Sequence, residues 1–230
     1  RNPANQIATY DPAILDTLPD TNWLDLVFNP APIQHYSLSA MGGSEFSNFY
    51  LSGEYHTQDG VFEGQGFDKY QVRFNGELGN KRFKLGNNLS FSHTDRQVIG
   101  ASGDGYGPGN ELSGIRYALI AAPLFPSQYP DGSYVNVTSE LGHPTLYGDG
   151  NANPVVFIQN TDWRIRRYRM FGSVYAELNL FKGLKVRTTL GGDFQFEREK
   201  LFKKRLSAAV YDPTSLNEGR VFNQTLVWNN

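Results

Sequence analysis

The histidines are the side chains of this chain best suited to bind a transition-metal ion. A zinc site needs several nitrogen, sulfur or oxygen ligands at short, recurring spacings. The chain has no cysteine, and its four histidines are far apart in sequence: His35, His56, His93 and His143. We interpret them as solvated side chains or as side chains facing a water-filled interior, and we assign no metal ligand.

Paired carboxylates could support general acid–base catalysis. Glu197 and Glu199 belong to a predicted strand, so they would lie on one face of it, about 7 Å apart. A glycosidase pair has a separation of that order, but it also needs a cleft and a raised pKa, which the sequence does not indicate. We favour a charged wall, assign no catalytic residue, and do not expect an enzyme.

Two glycine-rich stretches could bind phosphate or calcium. Residues 100–109 lack the Gly-Lys-Ser/Thr ending of a phosphate loop, and residues 147–151 match only part of a calcium loop. Both are interpreted as loop segments, and no cofactor is predicted.

The long segment 98–162 is the best candidate for ligand contact. Aromatic faces suit sugar rings or peptide side chains, although loop aromatics more often pack against their own loop or a partner protein. The candidate substrate-contacting residues are Tyr106, Tyr129, Tyr134 and Tyr147.

These candidates depend on long strands, of which residues 166–200 give the clearest pattern. Every second residue from Tyr168 to Leu180 is apolar or small, and the alternation resumes after a turn at Lys182-Gly183. Each arm exceeds the about 9–11 residues with which a strand crosses a membrane. The opposite face is charged along its length, as in a water-filled barrel. The pattern therefore predicts an antiparallel transmembrane hairpin.

The same alternation predicts about six strands and the start of a seventh at Phe222. Short turns are expected near 43–45, 79–81 and 181–183, and long connections near 57–66, 98–162 and 203–221. Outer-membrane barrels show this asymmetry between short periplasmic turns and long extracellular loops. Short helices are expected within Pro19–Phe28 and near 111–121. The alternative is a soluble β-sandwich that binds glycans or proteins.

A barrel segment makes a specific prediction about the two faces of the sheet. The lipid-facing set is expected to include Leu51, Phe74, Leu89, Tyr168, Val174 and Leu190. The lumen-facing set is expected to include Glu54, Arg73, Asn88, Glu177 and Arg187.

Charge and hydropathy argue against nucleic-acid binding and against a transmembrane helix. The formal charge of −2 gives no basic footprint, so nucleic acid is not an expected partner. Mean hydropathy is −0.47, and no apolar run approaches the about 20 residues of a transmembrane helix. No signal peptide precedes the strands, so we expect a mature chain or a piece of a longer one.

Five stretches together resemble TonB-dependent outer-membrane transporters of the SusC/RagA type. Pro19, Thr21 and Trp23 match the family's pattern before the first strand, with Asp20 and Asn22 exchanging the usual pair. Phe46 stands where a lysine is common. The stretches are PDTNWLDLVF (19–28), LSAMGGSE (38–45), YHTQDG (55–60), FDKYQVRFN (67–75) and FKLGNNLSFS (83–92). Residues 131–133 and 226–230 are also similar to the family.

The resemblance implies an all-β fold, namely a segment of an antiparallel transmembrane β-barrel with about six to seven strands and long extracellular loops. Such transporters have about twenty-two strands and a plugged lumen. Residues 1–32 would be an extracellular loop, and 33–230 a barrel segment that includes the loop 98–162. The implied role is TonB-dependent import, at the bacterial outer membrane, of oligosaccharides or oligopeptides. The implied partners are a SusD-like lipoprotein, the TonB complex through regions absent here, and membrane lipid.

Overall fold

The computed structural model describes residues 18–99, 114–136, 153–205 and 214–230, which form one antiparallel sheet and three short helices. Strand order in the sheet equals sequence order. The strands are β1 (Ile33–Gly43), β2 (Ser47–Asp59), β3 (Gly66–Gly79), β4 (Phe83–Val98), β5 (Thr161–Phe181), β6 (Leu184–Lys203) and β7 (Ser215–Asn229). The helices are α1 (Trp23–Val27), α2 (Gly114–Ile120) and α3 (Pro154–Gln159).

The predicted antiparallel β architecture is confirmed, but the strands are longer at their loop ends than the alternation indicates. β5 begins at Thr161, and β7 begins at Ser215 rather than at Phe222. Backbone pairing continues there although charged side chains, such as Arg166 on β5 and Arg220 on β7, occupy the face that is apolar further along each strand. Apolar periodicity therefore underestimates the length of these strands.

Cross-strand register places the two predicted residue sets on opposite faces. Leu51 lies opposite Phe74, and Phe74 lies opposite Leu89 on one face. On the other face, Glu177 lies opposite Arg187. The alternation in each strand therefore combines into one apolar face and one charged face, as predicted. We call these the apolar face and the charged face.

The apolar face is not covered by any second sheet in the described part of the chain. Leu38 is 82% exposed and Trp228 is 70% exposed. A soluble sandwich buries the equivalent side chains between two sheets. This exposure argues against the sandwich alternative and favours contact with lipid.

The buried core lies instead in the connections at one end of the sheet, which we call the loop body (residues 18–32, 60–65, 99, 114–136 and 153–160). Trp23 donates its indole hydrogen bond to the carbonyl of Ala122 at 3.0 Å. The side chain of Asn153 is fully buried, and it caps α3 by accepting from the backbone of Val155 at 3.0 Å. Two clusters form the core: Val27, Phe62, Ile99, Ala118, Val155 and Ile158 in one, and Trp23, Phe125 and Val135 in the other. No helix among the described residues is long and apolar enough to cross a membrane.

Gly172 is a position where the sheet tolerates no side chain. A Cβ atom there would lie 2.0 Å from the backbone oxygen of Asn88 on β4. We expect Gly172→Ala in the full-length protein to force β4 and β5 apart, at a cost of about 1–3 kcal/mol. The measurement is the temperature at which the folded form disappears on semi-native gels. Gly53→Ala is the control, because nothing lies within 4 Å of its added Cβ; equal shifts for both variants would contradict the prediction.

Candidate functional site

The charged face of the sheet carries several ion pairs, the first of them near the short turns. Lys84 of β4 lies 3.0 Å from Glu77 of β3, and the Tyr175 hydroxyl of β5 also donates a hydrogen bond to Glu77. The Arg187 guanidinium of β6 lies 3.9 Å from the centre of the Tyr175 ring, a cation–π contact. Four adjacent strands are thus joined by side chains.

Gly86 makes this contact across strands possible. It lies between Glu77 and Tyr175 in the cross-strand row, and a Cβ atom there would lie 2.1 Å from the tyrosine ring. The absence of a side chain lets the ring cross β4 and reach β3. We interpret this cluster as a fixed part of the wall.

Further along the same face, oppositely charged side chains pair across neighbouring strands. Arg169 and Asp193 approach to 2.5 Å, and Arg73 and Glu54 to 3.5 Å. Many of these groups are partly exposed, so each pair contributes little to stability on its own. Their effect is a hydrophilic surface of both signs, as expected for a wetted wall.

Glu197 and Glu199 share the charged face as predicted, but each has a different partner. Glu197 pairs with Arg167 at 2.6 Å, and Glu199 accepts from the Trp163 indole at 2.6 Å. Both carboxylates are therefore engaged in cross-strand contacts, which favours the charged wall over an acid–base pair.

The histidines do not assemble into one site. His35 and His56 lie opposite each other on the charged face, with ring centres 5.8 Å apart. His93 differs from the expectation of a solvated or lumen-facing side chain, because it lies on the apolar face and stacks on Tyr168 at 4.3 Å. His143 lies outside the described residues. Within the described ranges, no group of three or more histidine and carboxylate side chains could hold a metal ion.

The structure describes two of the four predicted substrate-contacting tyrosines, and both are half-buried. Tyr129 packs against the cluster that contains Trp23, and Tyr134 packs against the cluster that contains Phe62. Both rings thus have a packing role in the loop body, and substrate contact stays a prediction. Tyr106 and Tyr147 lie outside the described residues.

A tight turn follows Tyr129. The Asp131 carboxylate accepts from the backbone N–H of Ser133 at 2.9 Å and from its hydroxyl at 2.6 Å. The Ser133 hydroxyl is the main cause that holds the pKa of the Asp131 carboxyl below its ordinary value. Because that pKa is lowered by folding, its contribution to turn stability is present above the ordinary value and is lost as the pH falls below it.

An aromatic row crosses the apolar face and was not predicted. Each member lies directly opposite the next on the neighbouring strand, and several rings stack, as Tyr55 and Tyr70 do at 4.7 Å. In β3 to β7 the next residue on this face, toward the loop body, is charged. The sequence signal was an aromatic ring two positions from the first charge in each of these strands. The row consists of Tyr36, Tyr55, Tyr70, His93, Tyr168, Phe196 and Phe222.

Aromatic girdles of this kind border the apolar band of outer-membrane barrels at the membrane interface. The apolar face therefore has the order expected of a lipid-facing surface, with a charged row, an aromatic row and then an apolar band.

Comparison with known proteins gives relatives of one kind. The chain is 28% identical over 187 residues to TonB-dependent receptor P26 of Formosa agariphila, covering 81% of this chain and 17% of that protein. It is 27% identical over 225 residues to TonB-dependent receptor P3 of the same organism, covering 94% of this chain and 20% of that protein. No family model matches.

Solved structures show the same fold. The RagAB peptide importer in the closed-closed state matches 92% of this chain and 23% of that chain, with a TM-score of 0.71 and 20% identity. A structure of the RagAB peptide transporter matches with a TM-score of 0.68 and 20% identity, covering 91% of this chain and 23% of that chain. The present chain thus spans about a fifth of the relatives' length. Across most of its own length the chain has the fold of part of a TonB-dependent barrel, and its resemblance to TonB-dependent receptors of the SusC/RagA type is confirmed.

Proposed function

We propose that the chain is a barrel segment of a TonB-dependent outer-membrane transporter that imports oligosaccharides or oligopeptides. The observation that carries the proposal is one sheet with an exposed apolar face and an ion-paired opposite face. The apolar face would contact lipid, and the charged face would line the lumen. Similarity to TonB-dependent receptors and to the fold of a peptide importer supports the same role.

A SusD-like surface lipoprotein and the TonB complex are the proposed partners. The lipoprotein would close the mouth near the loop body, whereas TonB would act through parts of a longer protein. No enzymatic activity is proposed, and none of the relatives reported above is named as an enzyme.

The role is tested by deleting the full-length gene and restoring it from a plasmid. Cells are grown with either an oligosaccharide mixture or an oligopeptide mixture as the only carbon source. We expect the deletion to abolish growth on one mixture and to leave growth on monosaccharides and free amino acids unchanged. Undiminished growth on both mixtures would contradict an import role for these substrate classes.

The orientation of the long connection gives a separate prediction. Residues 98–162 should lie on the cell exterior, next to the lipoprotein. Protease added to intact cells should cleave within this segment when the lipoprotein gene is deleted, and should cleave less when it is present. Cleavage only after rupture of the outer membrane would show the opposite orientation.

The sandwich alternative is tested by expression of the chain without detergent. A soluble, monodisperse protein with sharp thermal unfolding would favour a binding module. We expect aggregation instead, because within the described ranges neither the apolar face nor the edge strands β1 and β7 are covered.

A further inference from the structure

Three arginines lie side by side on the apolar face, just beyond the aromatic row. Arg166 of β5 is directly opposite Arg198 of β6, which is directly opposite Arg220 of β7. Directly opposed side chains have Cβ atoms about 4.5–5.5 Å apart, and like charges at that spacing destabilise a sheet. A row of three therefore needs anions around it.

The protein supplies some of these anions, but fewer than the cations. Arg166 pairs with Asp95 at 3.0 Å. Glu218 is shared by Arg198 at 3.0 Å and Arg220 at 2.7 Å. In the next row outward, Arg164 lies opposite Lys200, and both pair with Asp162, at 3.1 Å and 3.6 Å respectively. Five cations thus share three carboxylates in these ion pairs, and the patch retains positive charge.

The patch surrounds a space open to an external ligand. A groove of about 350 Å³ is lined by Asp162, Arg164, Arg166, Arg198 and Lys200. The side chains of Arg166 and Arg198 keep 45% and 44% of their surface exposed. Each guanidinium can therefore present further N–H donors while it holds its carboxylate.

An apolar groove lies directly beside this patch, toward the middle of the sheet, and extends from β7 across β6, β5 and β4 to β3. It has a volume of about 450 Å³, and Tyr168, Met170, Phe194, Phe196 and Phe222 are among its lining residues. Tyr168, Phe196 and Phe222 each lie two residues along the strand from Arg166, Arg198 and Arg220 respectively. Cationic and apolar surfaces therefore meet along one line.

We propose that this surface, which we call the arginine row, binds the phosphorylated head group of a lipid in the outer leaflet, with an acyl chain in the apolar groove. Guanidinium groups donate two parallel hydrogen bonds to phosphate, and a phosphate between neighbouring arginines offsets their repulsion. The proposal depends on the lipid-facing orientation of the apolar face given above.

The position of the charges within the sheet restricts the phosphate contact to β5, β6 and β7. On β3 and β4 the same cross-strand row holds Asp68 and Asp95, which would repel a phosphate. A soluble anion would need the arginines alone. The apolar groove beside them fits an amphipathic ligand instead.

The test uses the full-length protein purified in uncharged detergent. The probe is fluorescent lipid A, a phosphorylated and acylated disaccharide. The test variant is Arg166→Gln/Arg198→Gln, and the control variant is Lys69→Gln/Arg96→Gln. The control also removes two positive charges, but from the charged face of β3 and β4. We expect the arginine-row variant to bind lipid A at least about tenfold more weakly. The control should bind like the wild type.

Two further ligands identify the chemistry. Lipid A from which the phosphates have been removed should bind the wild type as weakly as lipid A binds the variant. Inorganic phosphate should not displace lipid A at equal concentration. Equal binding of both lipids would overturn the phosphate contact, and complete displacement by phosphate would overturn the lipid as ligand.

Folding is checked by heat-modifiable migration on gels. If the glutamine variant does not fold, Arg166→Lys/Arg198→Lys keeps the charges but removes the forked donors, and it should still weaken binding. Wild-type affinity in a folded variant of either kind would overturn the proposal. Because lipid binding is measured without import, its failure is distinguishable from a failure of the transport role.

Discussion

Leu190→Arg in the full-length protein is expected to reduce sharply the amount of folded, heat-modifiable barrel recovered from outer membranes. Leu190 lies on the apolar face between Val174 and Trp228 and is 53% exposed. We place it near the bilayer midplane, where arginine on the lipid side of a barrel costs about 2–4 kcal/mol. The measurement is the folded fraction on semi-native gels of purified outer membranes.

Thr189→Arg is the matched control, since it introduces the same side chain one residue away. Thr189 lies opposite Tyr175 on the charged face, where arginine should meet water and carboxylates. Folded protein should remain near the wild-type level, so any import defect would reflect a changed lumen. Equal losses for both substitutions would mean that neither face contacts lipid, and a soluble sandwich would become the better explanation.

Phe62→Ala should destabilise the loop body without removing the barrel. Phe62 is 1% exposed, and it packs in the cluster with Val27 and Ile99 and edge-on against Phe28. Truncation of a buried phenylalanine costs about 3–5 kcal/mol. We expect faster proteolysis of the loop body on intact cells that lack the lipoprotein, with an unchanged heat-modifiable barrel.

The control for this variant is Val61→Ala. Val61 is the preceding residue and is 59% exposed, so its truncation creates no cavity. Its proteolysis rate should stay near that of the wild type. If Phe62→Ala is cleaved no faster than Val61→Ala, the buried cluster does not hold the loop body together.

The alternation of apolar and polar residues predicted those parts of the sheet in which one face is apolar and the other polar. It failed at the loop ends, where charged side chains occupy the apolar face. At the start of β7, Glu218 and Arg220 share a face with Phe222, so no apolar period marks the strand. Strand length there is determined by backbone hydrogen bonding to the neighbouring strand, and the polarity of the side chains does not reveal it.

Two of the three described helices were predicted, and the third was missed because its residues show no contrast between an apolar and a polar side. Trp23–Val27 forms a helix within the predicted range Pro19–Phe28, and Gly114–Ile120 lies within the predicted range 111–121. The helix at Pro154–Gln159 was not expected. Five of its six residues are apolar or proline, so the segment shows no amphipathic pattern. A capping Asn153 followed by proline was the available signal.

The arginine row could not be read from spacing along the chain. Arg166, Arg198 and Arg220 come from three strands, and their adjacency depends on register across two connections. An aromatic residue two positions from a charge was visible in each strand. Only the pairing shows that these positions form one line. The loop tyrosines have the same limitation, since Tyr129 and Tyr134 pack against residues distant in sequence.

Strand order that equals sequence order also bears on how this sheet assembles. Each hairpin joins strands that are close along the chain, so most pairings need little loop-closure entropy, whereas β4 and β5 are separated by residues 99–160. The loop body shortens that gap, because Ile99 just after β4 and Ile158 just before β5 are buried in one cluster. Formation of that cluster would bring the two strands to within pairing distance. The loop body would then act as a folding nucleus for the pairing of β4 with β5.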